Sequence, residues 1–179
     1  MKALLIAIST LCCVSGLRNE YHVAVQRNSI EMAWNVFERG SANIDERDDQ
    51  SLQTPLMMSV LMGRTKLVSF FLEKGADVTI PEKDGYTPVH GAGFQGRADI
   101  MKILIEHGLD PSDRHSDGYT PLHRACWGTE RRHADTVRVL LNAGVPADQL
   151  DSKGRTCWTK NENTLRLLKE KYNQGRQGL

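Results

Sequence analysis

Six histidines, four cysteines and three neighbouring carboxylates, Asp45, Asp48 and Asp49, are the residues of this chain whose types could do chemistry. Histidine with cysteine suggests a bound transition metal, and the carboxylates suggest calcium. The run Gly91-Ala92-Gly93-Phe94-Gln95-Gly96 has the glycine spacing of a dinucleotide phosphate loop. None of these carries through. No two histidines have the spacing of ligands on one helix face, and no cysteine pair matches them. A twelve-residue calcium loop starting at Asp45 needs Gly and Glu where Gln50 and Leu56 stand. A phosphate loop follows a strand and opens a helix, whereas the apolar pattern puts residues 91–96 inside a helix and the turn after it. The sequence has no Gly-x-Ser-x-Gly elbow, His-Glu-x-x-His helix or Walker loop, and no Asn-x-Ser/Thr sequon. The chain is therefore expected to be non-catalytic, with no cofactor and no metal.

The elements that position these residues follow a repeat. Thr54-Pro55-Leu56-Met57, Thr87-Pro88-Val89-His90 and Thr120-Pro121-Leu122-His123 begin 33 residues apart, the period of a turn followed by two helices. Threonine caps a helix through its hydroxyl, and proline at the first helical position loses nothing because that N–H has no partner. First helices are thus predicted from Thr54, Thr87 and Thr120. Second helices show apolar residues at helical spacing, such as Leu67, Val68, Phe70, Phe71 and Leu72, and stop at Gly75, Gly108 and Gly144. His22 and Gly40 keep the 18-residue spacing that separates Met57 from Gly75, which reveals an upstream copy with Asn19 as its cap. The third copy is longer by three residues, which lie within 128–132 and are read as part of a solvated loop bearing Glu130, Arg131, Arg132 and His133. A last copy from Gly154 has Thr156 as its cap, Cys157 in place of proline and Trp158 at a core position. Its polar outer face suits a terminal cap. Gly91 and Gly93 should make their helix the softest of the set, since glycine costs about 1 kcal/mol there relative to alanine.

Asp84-Gly85-Tyr86-Thr87-Pro88-Val89-His90 followed by Ile103-Leu104-Ile105-Glu106-His107-Gly108 resembles the ankyrin repeat family. The resemblance implies an all-α solenoid of about five helix-turn-helix units joined by short β-hairpin-like loops. Repeats are expected at 17–51, 52–84, 85–117 and 118–153, a truncated cap at 154–172 and a frayed tail at 173–179. It implies that His90 and His123 hydrogen-bond neighbouring backbone, and that a protein partner is held in a concave groove. Groove positions carried over residue by residue are Leu61, Met62, Tyr86, Phe94, Tyr119 and Trp127, with Arg18 and Arg155 at the ends and Arg114 at a hairpin tip. Aromatic centres with an arginine-bearing rim have the composition of binding hot spots. Trp34 is assigned to a second helix on the convex side.

Residues 1–16 differ in kind. Lys2, an apolar run over residues 3–14 and Val14-Ser15-Gly16 have the layout of a secretory signal peptide, with the mature chain starting at Leu17. The alternatives are an uncleaved anchor or an extra apolar helix. Cleavage leaves Cys126 and Cys157, which the helical register places about 12 Å apart, so two free thiols are expected. With 23 basic and 22 acidic residues, the whole chain lacks the field that nucleic acid or an acidic membrane requires. The resulting expectation is a monomeric binding module, secreted or periplasmic, for one protein partner. Narrower versions are an inhibitor, immunity or stabilising protein for an exported enzyme. A cytoplasmic adaptor and a small-molecule or metal binder are the rivals.

Overall fold

The protein's structure, a computed structural model, describes residues 19–177, with side chains through residue 174. Among the described residues lie the helices α1 (Glu20–Gln26), α2 (Ile30–Arg39), α3 (Pro55–Met62), α4 (Thr65–Glu73), α5 (Pro88–Gln95), α6 (Ala98–Glu106), α7 (Pro121–Cys126), α8 (Arg131–Asn142) and α9 (Glu162–Gln177), and no strand. The chain divides into two compact units between Asp84 and Gly85. The proposed signal segment and Arg18 lie outside the described residues.

In the first unit, α1 pairs with α2 and α3 with α4, while α1 packs on α3 and α2 on α4. The Asn19 side chain accepts from the His22 amide at 3.1 Å, so the upstream copy begins at its expected cap. Thr54 accepts from the Met57 amide at 3.1 Å ahead of Pro55. Tyr21, Val25, Leu56, Val60, Leu67 and Phe71 are fully buried between the layers. Each such side chain stabilises the unit by about 1.5–3 kcal/mol relative to exposure. The tip between α2 and α3 is built on Asp48, which is buried. Its carboxylate accepts from the amides of Gln50, Ser51 and Gln53 at 2.9–3.1 Å and from the Ser51 hydroxyl. Burial alone would raise this carboxyl's pKa, but those donors outweigh it and hold the pKa below its ordinary value.

In the second unit, α5 packs on α7 and α6 on α8, and α9 packs on α8. Val89, Ile100, Met101, Leu104, Leu122, Val137 and Leu140 form the core. Gly108 and Gly144, both at φ 93°, stand one residue past the caps of α6 and α8, where an L side chain would be strained. Gly93 serves a different purpose. A Cβ there would meet the Pro121 carbonyl oxygen at 2.6 Å, so the glycine lets the start of α7 approach α5 closely. The tips are hairpin-like without strands: His115 N–H donates to Tyr119 at 3.0 Å and Asp151 N–H to Arg155 at 2.8 Å.

The structure corrects three sequence expectations. The expected loop after α7 is shorter, because Arg131, Arg132 and His133 form the first turn of α8 and His133 is buried. The last copy has no first helix. Residues 156–160 are non-helical, Trp158 is 65% exposed instead of lying in the core, and the helix continues to Gln177 where fraying was expected from Asn173. Asn161, not Thr156, opens that helix: its side-chain oxygen accepts from the amides of Asn163 and Thr164 at 3.1 and 3.3 Å. Cys126 and Cys157 are consequently not free thiols but a disulfide, with Cα atoms 6.0 Å apart. The 12 Å expectation assumed a helix at Cys157, whereas a non-helical segment is tied to the end of α7 there.

Candidate binding surface

The second unit gathers its chemistry around Arg124. The two preceding copies place Met58 and Gly91 four residues after the threonine cap, and here the same position carries a guanidinium. Its side chain is only 9% exposed. One nitrogen donates to the Tyr86 hydroxyl at 2.6 Å and to the Asp117 carboxylate. The guanidinium carbon lies 4.5 Å from the Tyr86 ring centroid, 5.2 Å from that of Tyr119 and 4.6 Å from that of Trp127. Planar guanidinium stacks on aromatic faces and bonds carboxylates in its plane, which is why arginine can satisfy both kinds of neighbour at once.

The ring system continues outward. Tyr119 and Trp127 meet edge to face at 4.9 Å, and His115 lies over Tyr86 at 4.0 Å. Arg155 donates to the Tyr119 hydroxyl at 2.6 Å and from Nε to Asp151 at 2.8 Å. Tyr86 in turn donates to Asp117 at 3.0 Å. Burial would raise the Asp117 carboxyl, yet the Tyr119 amide, His115, Tyr86 and the Arg124 charge together bring it down to about 2. The Asp151 carboxyl also reaches about 2: its burial opposes the shift, and the amide and side chain of Arg155 drive it. Both carboxylates stay ionised and neutralise their arginines.

Of the residues expected at the surface, Tyr86, Tyr119, Trp127 and Arg155 come together in this network. Phe94 stands at the last turn of α5, 54% exposed and outside the stack, and its carbonyl accepts from His133 at 3.2 Å. Arg114 donates to the carbonyls of Gly118 and Leu150 at 2.8 Å each and so ties successive tips together. Leu61 and Met62 belong to the last turn of α3 in the first unit, Leu61 half-buried and Met62 exposed. The expected histidine roles are seen in part. His22 bonds the Gln53 carbonyl at 2.8 Å, and His123 sits 3.4 Å from that of Arg155. His90 instead faces the Thr87 hydroxyl at 2.9 Å. Burial lowers the pKa of both His90 and His123.

Sequence reasoning passed over Arg124 and Asp117, and it assigned the exposed Trp158 to the core. A charged residue at a position otherwise filled by Met58 and Gly91 was the available signal for Arg124. On the outer side of the first unit, Trp34, Phe37 and Phe70 form a second aromatic cluster, with Lys74 Nζ 4.1 Å from the Trp34 ring centroid.

No helix among the described residues is long and apolar enough to cross a membrane. A search of curated proteins finds similarity to the 2-5A-dependent ribonuclease of Homo sapiens, 34% identical over 65 residues, or 36% of this chain. The matched region spans 9% of that relative's length. A family profile described as ankyrin repeats (3 copies) matches residues 80–151, and one described as ankyrin repeat matches residues 51–83. With more than half its length matched and helical hairpins paired in both units, the chain belongs to the ankyrin repeat family, whose members are generally non-catalytic protein-interaction modules.

Proposed function

We propose that this chain is a non-catalytic, exported, monomeric module that holds one protein partner on the aromatic surface of its second unit. The observation that carries the reading is the state of Trp127. The residue is 41% exposed, yet its ring is wedged between Tyr119 and the Arg124 guanidinium. A large amphipathic side chain already fixed in the free protein loses little entropy when a partner covers it, and such residues dominate interface energies. Arg124 itself contributes by holding the rings, because its charge is already satisfied by Asp117. Export is supported by the layout of residues 1–16 and by the disulfide, a bond that persists in oxidising compartments.

Capture from an extracytoplasmic fraction tests the partner, comparing the wild type with Trp127→Ala and Phe94→Ala. Each substitution should reduce retention of one discrete protein at least tenfold, the size of a single hot-spot loss. Capture unchanged in both variants would remove this surface from the reading. N-terminal sequencing tests export: a start at Leu17 supports it, and a start at Met1 overturns it.

A further inference from the structure

The disulfide joins two residues that each precede an exposed indole: Cys126 is followed by Trp127 and Cys157 by Trp158. Residues 156–160 take no regular structure, and the helix they lead into has its own attachments. Asn161 donates to the carbonyls of Gly128 and Glu130 at 3.4 and 3.0 Å, and Thr164 and Leu168 are buried. On the other side, the Arg155 carbonyl is fixed by the Asp151 amide at 2.8 Å. The segment therefore hangs between two anchors with one covalent link at its middle, and Trp158 sits beside that link. The two sulfur-bearing residues are unequal as well. Cys126 is 1% exposed at the end of α7, whereas Cys157 is only partly covered.

We propose that the Cys126–Cys157 disulfide is a redox-sensitive clasp that fixes Trp158 at the edge of the binding surface and releases it on reduction. Its consequence for binding rests on the partner reading above, and the clasp itself does not. The reductant is a dithiol of the thioredoxin-like class. Its thiolate attacks Cys157 Sγ, the approachable sulfur; a new S–S bond forms to Cys157 as the old one breaks, and Cys126 leaves as a thiolate that takes up a proton. The reductant's second thiolate then attacks its own sulfur in the mixed disulfide, expelling the Cys157 thiolate, which is also protonated. Two electrons pass to the protein, and the reductant ends as an internal disulfide.

Backbone relaxation of the 15N-labelled chain decides the matter, with dithiothreitol as the probe and Cys126→Ser/Cys157→Ser as the second sample. The amide and indole of Trp158 should fall from an order parameter of about 0.85 to below about 0.6 in both samples. Amides in α7 and α9 should hold their values. An unchanged Trp158, with reduction verified by mass, would overturn the clasp. So would loss of order throughout α7 and α9, since the bond would then be a general staple of the unit. The readout needs no partner, so an indifferent capture result with both Trp127→Ala and Phe94→Ala would sink the binding reading and leave the clasp standing.

Discussion

The tips of the two units solve one problem in different ways. Asp48 in the first unit is buried and satisfied by backbone amides and a neighbouring serine, with no arginine among its partners. Asp117 and Asp151 in the second unit accept amide donors too, and each then takes an arginine that lies against a ring. Tip carboxylates only shape a turn in one unit and organise a surface in the other. The exposed rings differ to match. Trp34 and Phe37 of the first unit sit on a second helix under Lys74, whereas Trp127 of the second sits at the end of a first helix against Arg124. The buried, paired Arg124 holds its rings by hydrogen bonding as well as by stacking, whereas the half-buried Lys74 adds only a cation over the ring faces.

The largest effect should come from the covalent link that only the second unit has. Cys126→Ser/Cys157→Ser is expected to lower that unit's unfolding free energy by about 3–4 kcal/mol, from the loop entropy of a crosslink between residues 31 apart. Denaturant titration followed at Trp127 reads this, with Trp34 reporting the first unit unchanged. Arg124→Ala comes next. It strips Asp117 and Tyr86 of a partner and should cost about 2–3 kcal/mol in the same titration. A loss under about 0.5 kcal/mol would mean that the network does not hold the rings. Gly93→Ala sets two effects against each other. Alanine gains about 1 kcal/mol of helix propensity, but its Cβ meets the Pro121 backbone at 2.6 Å. Because backbone must shift, overpacking wins, with a net loss of about 1–2 kcal/mol; a rise in Tm would refute the close approach of α5 and α7.

The pH dependence sharpens the comparison further. His90 and His123 are kept neutral by burial, so their pKa values lie below the unfolded 6.5. Their contribution is complete above pH 6.5 and is lost as the pH falls through the depressed folded values. A second loss follows between the ordinary carboxylate value of 3.8 and about 2, where Asp117 and Asp151 protonate. His90→Gln/His123→Gln should flatten the first step and leave the second. The smallest effect belongs to Lys74→Ala, about 0.5–1 kcal/mol for a partly solvated cation over a ring.

Most of the fold was legible because its local signals are chemically strict. Threonine with proline at Thr54, Thr87 and Thr120 opened helices, and the glycines at 75, 108 and 144 followed their ends. Asn19 with His22 gave away a copy that lacks the proline. The last copy was misread because frame alone was carried past the point where its support ended. Cys157 stands where proline belongs, and Asn161 ahead of Glu162 is the better cap, which frees residues 156–160 to cross α7 and bring the cysteines together. The surface was legible as composition only. Tyr86, Tyr119, Trp127 and Arg155 could be placed on one side by register, but the residue that holds the three rings, Arg124, acts through contacts with residues 38 and 7 positions away. No periodicity records those contacts.

Site-specific photocrosslinking compares the two aromatic clusters most directly. A benzophenone amino acid is placed at Trp127 in one sample and at Trp34 in the other, and both are irradiated with the extracytoplasmic fraction. A single discrete adduct from position 127 and none from position 34 is the predicted result. An adduct from position 34 alone, or from neither, would contradict the assignment of the partner to the second unit's surface.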